Sequence, residues 1–251
     1  MTVDDFAQMI VEVSGLIAAK GFRIREGSAS PEELLYLAGT AQRSGARRVA
    51  EVGFNAGFSS TAFLMADPHV DVVSFDIGVH DYVPLAKSLV DERFPGRHTL
   101  IYGDSRATVP KFARGAMAPF DLLFVDGGHE YETALCDLRN MRSLAHASSV
   151  LILDDVNPCT PAGRGPGNAW RQAITEGWII QEQIYEDGRR VQLSTRRCKR
   201  SWARGLYRLD RLVDESSLAT PLPLSRCVGP ALSASVTSSF AVPVLYLILR
   251  F

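Results

Sequence analysis

From residue 47 onward, short apolar runs alternate with longer amphipathic stretches. Strand-like runs fall at 47–53, 70–77, 98–103, 120–126 and 149–155, with helical runs between them at 59–66, 84–94, 106–114 and 131–145. The strands are continuous apolar runs, such as "DLLFV" and "SVLIL", rather than alternating ones. A strand with both faces apolar belongs in a parallel sheet covered by helices on both sides. A short helix near 169–176 and two further strand-like runs, 178–185 and 190–195, follow. The "EDGR" between those runs is a tight-turn signal and predicts an antiparallel hairpin. The predicted fold is therefore α/β: a doubly wound, Rossmann-like, mostly parallel sheet with an antiparallel C-terminal edge hairpin.

The first 45 residues have the helical period. Phe6, Met9, Ile10, Val13, Leu16 and Ile17 recur at three and four, and Gly21 ends the run. Ser30, Pro31 and Glu33 read as N-cap, first helical position and capping-box partner of a second helix. After residue 196 the character changes to a basic segment, a Ser/Pro/Leu-rich stretch and a final apolar run broken by Pro243. Three units are expected: a helical cap over 1–45, a core over 46–196 and a C-terminal extension over 197–251. The extension has two readings, a membrane-surface or tail-anchor element and a poorly ordered segment. Pro243 and the Ser/Thr content favour the second.

Composition narrows the classes. The net charge of −1 supplies no general attraction to nucleic acid. Cys136, Cys159, Cys198 and Cys227 form no CxxC pair, which argues against a zinc site or a disulfide framework and fits a reducing, cytoplasmic setting. The N-terminus carries acids where a signal peptide needs basic residues.

The candidate chemistry collects at the carboxyl ends of the strands, where open α/β sheets bind ligands. Glu51 and Gly53 close the first strand, Asp76 the second, Asp104 the third, Asp126 the fourth, and Asp154 and Asp155 the fifth. Carboxylates gathered on one edge point to a polar ligand, a cation, or both. "EVGFNAGF" supports a tight turn with backbone N–H groups aimed at a ligand, but its glycines are spaced G-x-x-x-G, not as the G-x-G-x-x-G of dinucleotide sites. Asp76 stands where an acid can hold two ribose hydroxyls. The acids Asp126, Asp154 and Asp155 could supply oxygen ligands to a hard divalent ion. His129, three residues past Asp126, is the candidate general base. Each of these also has a plainer reading as a turn or cap residue. The loop "NPCTPAGRGPGNAW", 157–170, reads as a lid or substrate loop.

On these motifs the chain resembles the class I S-adenosylmethionine-dependent methyltransferases. "EVGFNAGFSS" is similar to their first motif, "SFDIG" to the second and "YGDS" to the third, in order and on successive strand ends over about residues 30–196. The resemblance implies S-adenosylmethionine as cofactor, contacted by Glu51, Gly53, Asn55, Gly57, Ser59, Asp76, Asp104, Ser105 and Asp126. The acidic trio resembles the metal triad of the metal-dependent small-molecule O-methyltransferases. It implies Mg²⁺ at Asp126, Asp154 and Asp155, with Asp126 and His129 catalytic and a small-molecule hydroxyl as acceptor. Asp155 stands where catechol-type members carry Asn and is more like the enzymes that tailor sugars and other natural products. A metal-independent methyltransferase acting on N, C or O, and a non-catalytic cofactor-binding module, are the alternatives; the glycine spacing disfavours a nicotinamide oxidoreductase. The acceptor's identity and any homo-oligomer are left open.

Overall fold

The structure, a computed structural model, describes residues 1–25, 29–116, 118–192 and 198–211. Two helices open the chain, α1 (Val3–Ala19) and α2 (Pro31–Ser44). Both begin with reciprocal capping boxes, Thr2 with Asp5 and Ser30 with Glu33, and Gly45 ends α2 in the left-handed conformation. Then follow β1 (Arg48–Val52), α3 (Phe58–Ala66), β2 (Asp71–Asp76), α4 (Val83–Arg93), β3 (His98–Tyr102), α5 (Ser105–Ala113), β4 (Phe120–Val125), α6 (Tyr131–Arg142) and β5 (Ala145–Asp154). The chain continues with α7 (Arg164–Thr175), β6 (Ile179–Glu186), β7 (Arg189–Val191) and β8 (Ser201–Tyr207).

The strands form one sheet in the order β3-β2-β1-β4-β5-β8-β6-β7. The first five are parallel, and β8, β6 and β7 add antiparallel pairs, as expected of a doubly wound sheet with an antiparallel edge. The hairpin forms as anticipated, Tyr185 pairing with Arg190 across Asp187 and Gly188. Residues 193–195 of its expected second strand lie outside the described residues.

Alternate residues along each strand feed two cores, which is why the strands need apolar side chains throughout. Val49, Leu122, Phe124, Val150 and Ile152 face the side covered by α1 to α4, together with Phe6, Leu34, Leu37 and Phe63. Ala50, Val52, Leu123, Val125, Leu151 and Leu153 face α5 to α7, together with Leu135, Leu138, Met141 and Trp170. The helices expected as an N-terminal cap are thus part of one covering layer.

Two expectations need correction. The core does not end near 197: β8 inserts between β5 and β6, pairing Asp154 with Trp202 and Tyr185 with Trp202. Trp202 is 1% exposed and stacks on Tyr185 with ring centroids 5.6 Å apart. The basic residues around "KRSWARG" masked this strand, because its buried positions are interleaved with Arg200 and Arg204. The cysteines are not uniformly reduced: Cys136 and Cys198 are free, and Cys159 is disulfide-bonded. The remainder of the extension, 212–251, lies outside the described residues, as does Cys227. Among the described residues no helix is long and apolar enough to cross a membrane.

Candidate functional site

The strand order reverses between β1 and β4, the switch point at which doubly wound sheets open a crevice. A cavity of about 380 Å³ lies there, within the size range of small-molecule sites.

Its floor is the turn after β1. Gly53 has φ +95°, Asn55 +48° and Gly57 +75°. At Gly53 no side chain fits: a Cβ would lie 1.9 Å from the Asp126 carbonyl oxygen. The turn and the end of β4 cross this closely because Asp126 N–H donates to Val52 O at 2.9 Å while Gly53 N–H donates to Phe75 O at 2.8 Å. At Gly57 a Cβ would lie 2.9 Å from the Phe54 ring. The glycines are therefore needed for backbone reasons before any ligand is considered.

Asp76 holds the turn from the side. Its Oδ2 accepts from the N–H groups of Phe54 and Asn55, each at 2.8 Å, and its Oδ1 accepts from Gly78 N–H at 2.7 Å. A carboxylate has about four acceptor positions, so capacity remains for a hydroxyl of a ligand. Tyr82 Oη donates to Asn55 Oδ1 at 2.7 Å and secures that left-handed residue. Gly53, Asn55, Ser59 and Asp76 line the cavity; Gly57 does not.

Glu51 also lies off the cavity. It is fully buried beneath the turn, where Ser74 Oγ donates to its Oε1 at 2.7 Å and Ser60 Oγ donates to the same oxygen. Burial pushes its carboxyl up to about 7 against those hydrogen bonds. The motif residue supports the loop from below.

On the β3 flank, Asp104 and Ser105 line the cavity. Asp104 caps α5 through Arg106 N–H at 2.9 Å and pairs with the Arg106 guanidinium at 2.6 Å, which holds its carboxyl below the ordinary range.

On the β4 flank sit Asp126 and His129. One ligand atom each from Asp126, His129 and Asp155 lies within 4.8 Å of the others. This differs from the anticipated trio, because His129 takes the place of Asp154. Asp154 and Asp155 are adjacent, but Asp155 adopts φ +54° and turns toward the edge, whereas Asp154 completes β5 and stays 4% exposed.

The local field is strongly negative. Loss of water pushes Asp126 up to about 6, with Asp155 adding repulsion. Asp154 is raised well above its ordinary value by burial and then by Glu33, Asp126 and Asp155. Glu33, at the first turn of α2, is 2% exposed, lines the cavity and is pushed up to about 8 by burial and then by Asp126. His129 is raised by its hydrogen bond to Asp155. His129 and then Arg200, the latter from the segment expected to lie outside the domain, oppose the shift at Asp126, and Arg200 also opposes the one at Glu33.

Sequence reasoning missed Glu33 as a site residue, since its capping-box spacing accounts for it fully; only the packing of α2 carries it to the cavity. The expected lid at 157–170 is also corrected. Its second half is the start of α7, and its glycines serve close packing. A Cβ at Gly165 would lie 2.0 Å from the His129 carbonyl oxygen, and one at Gly167 would lie 2.3 Å from that of Val156. The segment buttresses the residues that carry His129 and Asp155.

Residues 50–156 match a family model described as "Methyltransferase domain". The fold is shared with an O-methyltransferase from Bacillus cereus in complex with SAH, at TM-score 0.66 and 16% identity over 80% of this chain and 90% of that one. It is shared with the O-methyltransferase TomG from Streptomyces achromogenes, in complex with SAM and involved in tomaymycin synthesis, at TM-score 0.63 and 18% identity over 79% and 88%. It is shared as well with a putative caffeoyl-CoA O-methyltransferase from Staphylococcus aureus, at TM-score 0.59 and 11% identity over 79% and 91%. The family match spans the cavity-forming strands, so residues 50–156 carry a methyltransferase domain, and its motifs stand in order on the successive strand ends of the class I methyltransferase fold.

Proposed function

We propose that this enzyme methylates a hydroxyl of a small molecule and holds a divalent cation such as Mg²⁺ at the acids after β4 and β5. The observation that carries the reading is the gathering of Asp126, His129 and Asp155 at the cavity flank opposite Asp104 and Ser105. Relatives in fold described as O-methyltransferases, one of them involved in tomaymycin synthesis, support an oxygen acceptor on a small molecule.

The residues present fit a cation. Oxygen and imidazole donors suit a hard or borderline divalent ion. Four acids, Glu33, Asp126, Asp154 and Asp155, share one neighbourhood, and burial first and their mutual repulsion second raise the carboxyls of Glu33, Asp126 and Asp154. Asp126 and Asp155 would be the first ligands, with His129 or Asp154 completing the set. A bound cation would supply a lowered pKa and a fixed position for the acceptor hydroxyl.

Bound S-adenosylmethionine would supply a methyl carbon activated by its sulfonium. The chain's own part is placement. The turn at 53–57 leads into α3 with the N–H groups of Phe54 and Asn55 tied to Asp76, Asp76 keeps acceptor capacity for ribose hydroxyls, and Asp104 and Ser105 on the β3 flank would border the base. Holding donor and acceptor in line replaces a bimolecular encounter and accounts for much of the rate in such a transfer. His129 Nε2 faces Asp155 Oδ2 at 3.1 Å, which leaves Nδ1 to take the acceptor's proton while Asp155 stabilises the resulting imidazolium.

That same dyad supports a second reading without a metal, in which Asp155 orients His129 and the base acts alone. Calorimetric titration with S-adenosylmethionine, before and after EDTA and with Mg²⁺ alone, separates the two. A metal response coupled to turnover in a screen of phenols, sugars and polyketide hydroxyls supports the first. Cofactor binding and chelator-resistant turnover support the second, and a folded protein that binds no cofactor refutes both.

A further inference from the structure

We propose that Glu33 is the acceptor-recognising residue of this cavity, and that the acceptor is a hydroxyl compound carrying an ammonium group rather than a carboxylate, a phosphate or a coenzyme A thioester. The inference rests on the hydroxyl-acceptor reading above, names its substrate class, and holds with or without a cation at the acids.

Glu33 is the third residue of α2 and lies outside the family-matched segment. It lines the cavity and is 2% exposed. The capping box occupies one of its oxygens, Oε2, which accepts from Ser30 N–H at 3.4 Å. Its Oε1 makes no hydrogen bond among the described residues. Glu33 also stands outside the group of Asp126, His129 and Asp155, whose ligand atoms lie within 4.8 Å of one another. That suits a residue that meets the acceptor rather than one that holds the cation. Asp154, at the end of β5, is 4% exposed and has its Oδ1 buried without a partner. The strongest charge repulsion on Asp154 comes from Glu33. Two buried carboxyls from elements distant in the chain thus meet beside the group that would hold the acceptor hydroxyl. Each has an oxygen that the fold leaves without a donor, and a buried acceptor without a donor is costly.

The cations of the cavity are placed elsewhere. Among the described residues that line it, the one arginine is Arg106 and there is no lysine. Arg106 sits on the β3 flank and is committed to Asp104 at 2.6 Å. His129 faces Asp155 at 3.1 Å. Arg200 opposes the shifts at Glu33 and Asp126 but does not line the cavity. A carboxylate or phosphate on the acceptor would therefore enter beside acids and find no lining cation to pair with. An ammonium in the same place would donate charge-assisted hydrogen bonds to Glu33 and favour its ionised form. Specificity here has both an attractive and a repulsive part.

The test uses two probe sets, each on one scaffold and differing in charge: tyramine, tyrosol and hydroxyphenylacetate, and glucosamine, glucose and glucuronate. Methyl transfer from S-adenosylmethionine is measured with Mg²⁺ present. Within a set that is turned over, kcat/KM should favour the ammonium probe over the carboxylate by at least about tenfold. Glu33→Gln keeps a capping-box side chain and removes the charge. It should bring the ratio below about threefold, with the change falling on KM of the ammonium probe more than on kcat. Ser30→Ala, which removes the cap and keeps the acid, should retain the ratio. A wild type that prefers the carboxylate or ignores charge would overturn the proposal, as would an unchanged ratio in Glu33→Gln. The wild-type ratio decides alone if the variant does not fold. A protein that binds S-adenosylhomocysteine and methylates no probe of any charge would strike the hydroxyl-acceptor reading, and this proposal with it.

Discussion

His129 Nε2 and Asp155 Oδ2, 3.1 Å apart, join the turn after β4 to the left-handed residue after β5. Helix α7 packs against both turns, its Gly165 and Gly167 lying where a Cβ would meet the carbonyl oxygens of His129 and Val156. The pair's protonation is a direct reporter of what occupies the acid group. In metal-free protein the His129 imidazole should titrate above the ordinary histidine value in a proton NMR titration. Asp155→Asn should move it down, since the hydrogen bond to Asp155 is the largest cause of the shift. Saturating Mg²⁺ should also move it down in the wild type. A titration indifferent to both changes would mean that the dyad does not exist in solution.

Gly53→Ala should be severe. The substitution places a methyl where the Asp126 carbonyl oxygen stands and demands φ +95° of a residue with a Cβ. We expect a loss of about 2 kcal/mol or more in urea unfolding. S-adenosylhomocysteine binding should also fall at least tenfold, because the turn and the end of β4 must separate. A variant with wild-type stability and affinity would show that the crossing is looser than described.

Glu33 offers a test of the negative field. Its folded-state carboxyl is pushed up to about 8, against an ordinary value near 4.5, so the folded protein holds a proton there that the unfolded chain has released. Stability from this group is full below pH 4.5 and is lost as pH rises toward 8. Glu33→Gln removes the loss, and without metal at pH 8 it should melt above the wild type, by a margin on the order of 5 °C. At pH 5 the two should nearly coincide. Mg²⁺ should narrow the gap at pH 8 by neutralising the same field in the wild type. A variant that melts lower at every pH would show that the capping role of Glu33 outweighs its burial.

The β8 strand gives a test of the domain's extent. Trp202 sits between Tyr36 and Tyr185 with 1% of its surface exposed. Trp202→Ala should cost about 3–5 kcal/mol, the usual range for a buried large aromatic. A cost under 1 kcal/mol would return residues 201–207 to the status of an appendage.

Much of this architecture was legible in the sequence, and the parts that were not share a physical cause. The parallel strands could be read because burial on both faces leaves uninterrupted apolar runs such as "SVLIL". The capping box at Ser30 could be read because it is a local hydrogen-bond pattern. Asp76, Asp104 and Asp126 could be placed because strand ends share one edge. Glu33 and Trp202 could not. Each owes its role to a partner distant in the chain, Glu33 to Asp126 and Trp202 to Tyr36. Their local spacings already had sufficient explanations. The exchange of Asp154 for His129 has the same origin, since two adjacent acids look alike until one backbone dihedral turns them apart.

The polar cluster beneath the glycine turn makes the most exacting prediction. Ser74 Oγ donates to Glu51 Oε1 at 2.7 Å and lies 2.8 Å from His98 Nε2. Ser74 has only one hydrogen, so His98 must donate from Nε2, which leaves its Nδ1 as the bare nitrogen. That atom is buried without a partner. The ring is accordingly held neutral, and burial depresses it to about 4 from 6.5. Glu51 is raised to about 7 from 4.5. The two shifts act in opposite directions on stability. Glu51 binds a proton in the folded state that the unfolded chain has lost, so its contribution falls as pH rises from 4.5 to 7. His98 lacks a proton that the unfolded chain has gained, so its contribution rises as pH goes from 4 to 6.5. Each spans about 3 kcal/mol, and they nearly cancel in the wild type. Glu51→Gln should therefore gain stability relative to the wild type as pH rises through its window. His98→Asn should lose stability relative to the wild type as pH rises through the other. Chemical denaturation at pH 4.5, 5.5 and 6.5 measures both differences. Difference curves of the same sign, or flat ones, would mean that water reaches the cluster and that the floor of the cofactor turn is not the dry, neutral network described.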